Sequence, residues 1–168
     1  MATQIFFKFE GPAITGSSLM KGHEGMQEII SYSHSWEQPT NPVRSEGTGD
    51  SKELTQHGNL QLTMSADVAL TAMLGHLWSG KHIDKGTLTC YRVSSEGVRD
   101  AVPYLKVELE AVVITHMEVA GDGGASPLVS AALNYQKVTY TYQSTDPSKV
   151  KPGSTLPKSH DLRTNVVA

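Results

Sequence analysis

A mainly β fold, an antiparallel β-barrel or sandwich with one α-helix, is what this sequence predicts. Three observations carry the prediction. Apolar and polar residues alternate with period two through most of the chain, only one segment repeats its apolar residues at helical spacing, and strands and helices do not alternate as a parallel sheet requires. The chain has 168 residues, enough to bury a hydrophobic core, and reads as a single domain over 1–168.

Taken in order, ATQIFFKFEG at the N-terminus is rich in β-branched and aromatic residues and stops at Gly11-Pro12, a turn signal. Gly16 to Gly25 is a polar, glycine-punctuated loop. QEIISYSHSWEQP predicts a strand with Ile30, Tyr32, His34 and Trp36 on one face and Ser31, Ser33 and Ser35 on the other. The segment 38–57 is polar and broken by Gly and Pro, too long for a simple hairpin, and loops of that kind are usually functional or disordered. GNLQLTMS predicts the next strand. ADVALTAMLGHLWSG then predicts the helix, with Leu70, Met73, Leu74, Leu77 and Trp78 as one apolar stripe, Ser65 or Asp67 at its start and Gly80 at its end.

After the helix, GTLTCYRV alternates again, and PYLKVELEAVVITHMEV sets Leu105, Val107, Leu109, Ala111 and Val113 against Lys106, Glu108 and Glu110, a charged face that must meet water or a partner. A glycine loop, AGDGGASP, leads into LVSAALNYQKVTYTYQS. Its apolar phase shifts between Tyr135 and Val138, which predicts a bulge near Lys137. The tail is variable in character over 144–159 and ends in HDLRTNVVA, which can pair as a short last strand. The total is six or seven strands and one helix, with no internal repeat.

Composition excludes several functions. A net charge of −3 with both signs interspersed leaves no basic stripe to follow a phosphate backbone, which argues against nucleic acid. No run approaches the roughly 20 apolar residues of a spanning helix, and no charged stretch followed by an apolar segment opens the chain. The expectation is a protein that starts in the cytoplasm, inserts into no membrane and leaves, if it leaves, without a cleaved signal peptide. Cys90 is the one cysteine, so no intramolecular disulfide forms, and its strand setting predicts a buried, inert thiol.

Catalytic, metal-binding and cofactor-binding constellations are not expected. The seven histidines are scattered, and His76 and His82 lack the i, i+4 spacing of a helical metal pair. His34 reads as a core histidine satisfied through one ring nitrogen. Gly121–Gly124 lacks the Lys and Ser/Thr of a phosphate loop and reads as a hairpin tip. Glu108 and Glu110, roughly 7 Å apart on one strand face, lack the apolar pocket that separates the pKa values of an acid–base pair.

The ordered set of motifs resembles one family across nearly the whole chain: FFKFEG, EIISYSHSWEQP, a helix ending in SGKHI, CYRV, YLKVELEAVVITHMEV, LNYQKVTYTYQ and DLRTNVVA. The sequence is similar to the Hcp proteins, the tube-forming proteins of type VI secretion. The resemblance implies a mainly β, antiparallel two-sheet β-barrel with one flanking α-helix that assembles as a homo-hexameric ring, rings that stack into an inner tube, a spike protein at the tip, a contractile sheath around it and small effector proteins in the lumen. It implies a structural protein that is not an enzyme.

Two site expectations follow for this chain. Ser31, Ser33 and Ser35 line the lumen, because small uncharged groups suit a channel that passes varied cargo. The loop 38–57, with Arg44, Glu46, Thr48, Asp50 and Lys52, docks onto the next ring; each residue adds up to roughly 3.3 Å of reach. Competing readings are a small β-barrel module binding carbohydrate or lipid, which predicts an aromatic-lined pocket, and a hydrolase on a barrel, for which the chain leaves no room beyond the barrel itself.

Overall fold

A computed structural model of the chain describes residues 3–39, 54–92, 102–145 and 152–168. The barrel is built from β1 (Thr3–Glu10), β2 (Gln27–Ser33), β5 (Leu60–Ser65), β6 (Ile83–Arg92), β7 (Val102–Ala120) and β8 (Leu128–Asn134). Hydrogen-bonded neighbours run β7-β6-β1-β2-β5-β8, and β8 pairs back onto β7, which closes the ring of strands. Closure leaves none of these six strands with an open edge along its whole length, the hazard of any β-sheet. The remaining strands lie outside it: β9 (Lys137–Thr145), β10 (Pro152–Asp161) and β11 (Val166–Val167) extend the sheet from the first half of β7, while β3 (Trp36–Glu37) and β4 (Gln56–His57) form a separate two-stranded ribbon. The last strand expected from HDLRTNVVA is β11, and part of the variable tail is β10.

Alternation explains the core. Phe7 and Phe9 of β1, Leu88 of β6, Val107 and Leu109 of β7, Leu62 and Met64 of β5 and Leu133 of β8 all point inward and are buried. Each such side chain contributes about 1.5–3 kcal/mol relative to exposure. Phe7 and Phe9 meet edge to face at 4.7 Å. Cys90 is fully buried, and burial pushes its thiol above the ordinary range, so the inert cysteine is where the sequence placed it.

Strand phase is where sequence and structure part. β2 pairs Ile29 with Met64 but Ser31 with Thr63, so Ile30 is the extra residue of a bulge. Ile29 is therefore buried and Ile30 is 57% exposed, which corrects the inward placement of Ile30. The same run does not stay one strand: it ends at Ser33 and resumes as β3 after His34 and Ser35. In β7, Ala111 adopts φ 52, a left-handed conformation uncommon for a residue with a Cβ. The turn of the chain there moves Val112 and Ile114 into the core in place of Ala111 and Val113. Opposite it, Tyr135 and Gln136 separate β8 from β9, so the predicted irregularity lies just before Lys137, and the Gln136 N–H donates to the Glu110 carbonyl at 3.0 Å. The two kinks together let one long hairpin turn from one sheet of the barrel into the other.

The helix α1 (Ala69–Ser79) links β5 to β6. Asp67 rather than Ser65 serves its start, accepting from the Ala69 N–H at 2.9 Å while its other oxygen accepts from the Ser17 N–H at 3.1 Å. Gly80 ends it in the left-handed region at φ 62, and the Lys81 N–H reaches back to the His76 carbonyl at 3.2 Å, the geometry that favours glycine there. Ala69 and Met73 are buried, with Leu70 and Leu77 packed against the core. Trp78 is not part of that stripe; it is 79% exposed.

Candidate functional site

The outer faces of the two barrel sheets differ sharply in chemistry. Across one, cross-strand partners run Glu10–Lys85–Glu110–Lys137–Asp161 over β1, β6, β7, β9 and β10. Opposite charges facing one another across strands are favourable. The ion pairs that form are Lys8 with Glu10 at 2.6 Å, Glu108 with both Lys85 at 2.7 Å and Lys106 at 3.1 Å, and Lys137 with Glu110 at 3.0 Å. Burial alone would push the Glu108 carboxyl up, but its two lysines outweigh that and hold it below the usual range. Exposed pairs of this kind are worth at most about 1 kcal/mol each, so the ladder sets the register and solubility of the face more than its stability. The acid–base role is absent from the geometry, since both glutamates are engaged by lysines.

The other sheet is small and uncharged over most of its outer face. Its rows read Ser33–Gln61–Ala132–His116 and Ser31–Thr63–Ser130–Glu118 over β2, β5, β8 and the second half of β7. Ser31 and Ser33 are exposed, as are Gln61, His116 and Glu118. Ser35 lies past the end of β2, where its carbonyl accepts from the Gly58 N–H at 2.9 Å. The structure thus joins two of the three predicted serines with partners on β5 and β8 that the sequence did not link to them, because pairing between distant strands is invisible in a single alternating run.

Between barrel and outrigger lies a network the sequence showed only as separate residues. His34 Nδ1 lies 2.7 Å from the Tyr140 hydroxyl and its Nε2 lies 2.7 Å from the Tyr135 hydroxyl, so both ring nitrogens are engaged rather than one. Tyr135 also meets His57 Nδ1 at 2.8 Å, His57 Nε2 meets His160 Nδ1 at 2.8 Å, and His160 Nε2 meets Asn165 Oδ1 at 3.0 Å. Trp36 covers His34 and Tyr140 at ring separations of 4.4 and 5.2 Å. Burial holds His34 down at about 4 and pushes the Tyr135 hydroxyl up to about 12. His57 is also lowered, first by burial and then by His160 beside it.

Other candidates are weaker. A cleft of about 340 Å³ at the kink is lined by His82, Asp84, Lys85, Glu110, Ala111, Gln136 and Arg163; it lacks the tyrosine and tryptophan rings that a carbohydrate or lipid module needs. Among the described residues no cluster of three His, Cys, Asp or Glu side chains could hold a metal ion. At 121–124 the chain is a hairpin tip, with Asp122 accepting from the Gly124 and Ala125 N–H groups at 3.0 and 3.1 Å. Arg44, Glu46, Thr48, Asp50 and Lys52 lie outside the described residues.

The family model for the type VI secretion system effector Hcp matches residues 6–142, from β1 into β9. The chain belongs to the Hcp family. A curated relative of this Hcp chain, the major exported protein of Pseudomonas aeruginosa, is 23% identical over 134 residues, 76% of this chain and 75% of that protein. Among solved structures, a type six secretion system protein superposes with a TM-score of 0.87 at 18% identity, covering 99% of this chain and 100% of the other. Hcp1 from Salmonella typhimurium gives 0.75 at 22% identity with full coverage of both chains. Hcp3 from Pseudomonas aeruginosa gives 0.66 at 22% identity, covering 95% of this chain and 98% of that one. These likenesses show a shared fold, and the family makes this Hcp chain a structural subunit of the type VI secretion tube.

Proposed function

We propose that six copies of the chain close into a ring, with the sparsely charged sheet of β2, β5, β8 and the end of β7 facing the lumen and the densely charged sheet facing outward. The contrast between the two sheet faces carries this reading. A wall of serine, threonine, glutamine and alanine offers passing protein few strong attachment points, whereas a laced ladder of charges suits contact with water or a polar partner. Helix α1 serves a ring flank: its outward residues Val68, Thr71, Ala72, Gly75 and Trp78 are exposed, and the helix carries neither lysine, arginine nor a carboxylate. Uncharged cores with aromatic anchors are what protein interfaces favour.

In this reading the rings stack, carry a spike at the tip, slide within a contractile sheath and hold small effectors in the lumen; the subunit assembles in the cytoplasm and leaves without a cleaved signal peptide. The chain supplies structure and performs no catalysis. The test is mass in solution together with negative-stain images: six-membered rings of the 18.2 kDa chain support the reading, and a monomer at high concentration overturns it. In such rings Ser33→Arg should leave assembly intact and reduce retention of a bound effector about tenfold or more, as one desolvated charge implies; loss of the ring instead would remove Ser33 from the lumen.

The loop 38–57 is proposed to dock onto the next ring. Its ends support a projecting role, because Trp36 pairs with His57 and Glu37 with Gln56, and Thr55 Oγ1 donates to Gln38 Oε1 at 2.6 Å. Deleting residues 44–52 should abolish tubes while sparing single rings in electron micrographs. Tubes of normal length from that deletion would dispose of the docking role.

A further inference from the structure

The histidine–tyrosine network joins the β3–β4 ribbon, a sheet of its own, to the kink before β9 and to β10, which is laddered onto β9. His57 belongs to the ribbon β3–β4, His160 and Asn165 belong to the terminal hairpin β10–β11, and Tyr135 and Tyr140 flank the kink where β8 becomes β9. With every imidazole neutral, the hydrogen bonds have two consistent proton arrangements. With Asn165 presenting Oδ1, His160 Nε2–H must donate to it, which leaves His160 Nδ1 as an acceptor. His57 Nε2–H then donates to His160, the Tyr135 hydroxyl donates to His57 Nδ1, His34 Nε2–H donates to the Tyr135 oxygen, and the Tyr140 hydroxyl donates to His34 Nδ1. Turning the Asn165 amide over reverses every donor. In both arrangements each imidazole is neutral and each contact holds one hydrogen.

A first added proton is taken up by turning an end group, the Tyr140 hydroxyl accepting from His34 Nδ1–H or Asn165 Oδ1 accepting from His160 Nε2–H, but a second brings two donors together. Two imidazolium rings cannot share a 2.8 Å nitrogen–nitrogen contact, because both atoms would then be donors. No carboxylate stands by to compensate: none of the ion pairs among the described residues includes a histidine. The groups facing the pair are the hydroxyls of Tyr135 and Tyr140, the imidazole of His34, the indole of Trp36 and the amide of Asn165. The charged residues nearest in register are exposed Lys158, opposite Tyr140, and Glu37, opposite Gln56, while Asp161 is held by Arg163 at 3.2 Å.

We propose that this chain of three histidines and two tyrosines is an acid-released clasp, which holds the β3–β4 ribbon against the barrel and β10 while the imidazoles are neutral and frees the ribbon when the network takes up more than one proton. The sign follows from burial, which lowers both His34 and His57. The opened clasp binds protons more readily than the closed one, so closure is fully supported above the ordinary imidazole value of 6.5 and weakens as pH falls from there toward about 4. The buried core includes Tyr135 but no histidine, and the barrel is expected to stay closed over that range. The clasp therefore works as a local opening rather than as unfolding.

Amide hydrogen exchange of the full chain at about pH 7.5 and about pH 5, corrected for intrinsic rates, tests this. Protection in 54–57 should fall about tenfold or more on acidification, the response of a linked proton over one to two pH steps, while β5 (Leu60–Ser65) and the β9–β10 ladder are unchanged. The double variant His57→Gln with His160→Gln keeps polar partners but cannot titrate, and should lose the response. Should it fail to fold, His160→Gln alone and an imidazole NMR titration of the unmodified chain serve in its place, with His57 expected to gain its proton below the ordinary imidazole value. Equal protection at both pH values, loss of protection in β5 in parallel, or a response that survives in the glutamine variants overturns the proposal.

Discussion

Replacing Phe7 with alanine is expected to lower the unfolding free energy by about 3–5 kcal/mol, measured by denaturant titration of the isolated chain. Phe7 is fully buried, stacks edge to face on Phe9 and lies against the strand residue that gives it room, Gly86. A Cβ built on Gly86 would stand 2.7 Å from Phe7 Cζ and 3.5 Å from Val112 Cγ2. Glycine is otherwise a poor strand residue, so its presence within β6 is explained by this close approach. Gly86→Ala should therefore destabilise as well, by about 1–3 kcal/mol from overpacking. Combining the two should cost less than their sum, because the shortened side chain makes room for the new methyl, and contacting residues show couplings of about 0.5–3 kcal/mol. Additive losses would mean that the two positions do not share the same space.

Trp78→Glu should abolish ring assembly while leaving the barrel folded, shifting solution mass from six subunits to one. The substitution sits on the exposed end of α1, where 79% of Trp78 is accessible in the single chain, so removing it deprives the barrel core of nothing. In an assembled ring the same position would place a carboxylate in a desolvated contact, and loss of a central aromatic anchor typically costs about 2 kcal/mol or more per interface. Six such contacts in a closed ring make the effect on assembly steep. A fully assembled ring of this variant would move the flank contact to another surface, and a circular dichroism spectrum unlike that of the parent would point to a folding role for Trp78.

Local alternation made most of the barrel legible. Phe7, Phe9, Leu88, Val107 and Leu109 are buried where period two places them, since a strand with one wet face leaves little freedom in which side chains turn inward. The helix, its glycine stop and the short closing strand were equally readable, because caps and turns act through neighbouring residues. Ile30 and Val113 were misplaced for the converse reason. A bulge or a left-handed residue shifts the phase of everything after it, and nothing in the residues around Ile30 or Ala111 distinguishes them from an unbroken run. Trp78 was assigned to the buried stripe on spacing alone, whereas its position at the last turn carries it past the sheet that covers Met73.

Taken alone, the residues specify antiparallel strands with a helix and, through the order of their motifs, the family. Tertiary structure alone decided which residues share a surface. Ser33, Gln61, Ala132 and His116 form one row, Glu10, Lys85, Glu110 and Lys137 form another, and His34, His57 and His160 meet in one network. The physical reason is that strand propensity and capping act within a few residues. Pairing register and the closure of a barrel are set by contacts between segments tens of residues apart, and these exist only once the whole ring of strands has formed.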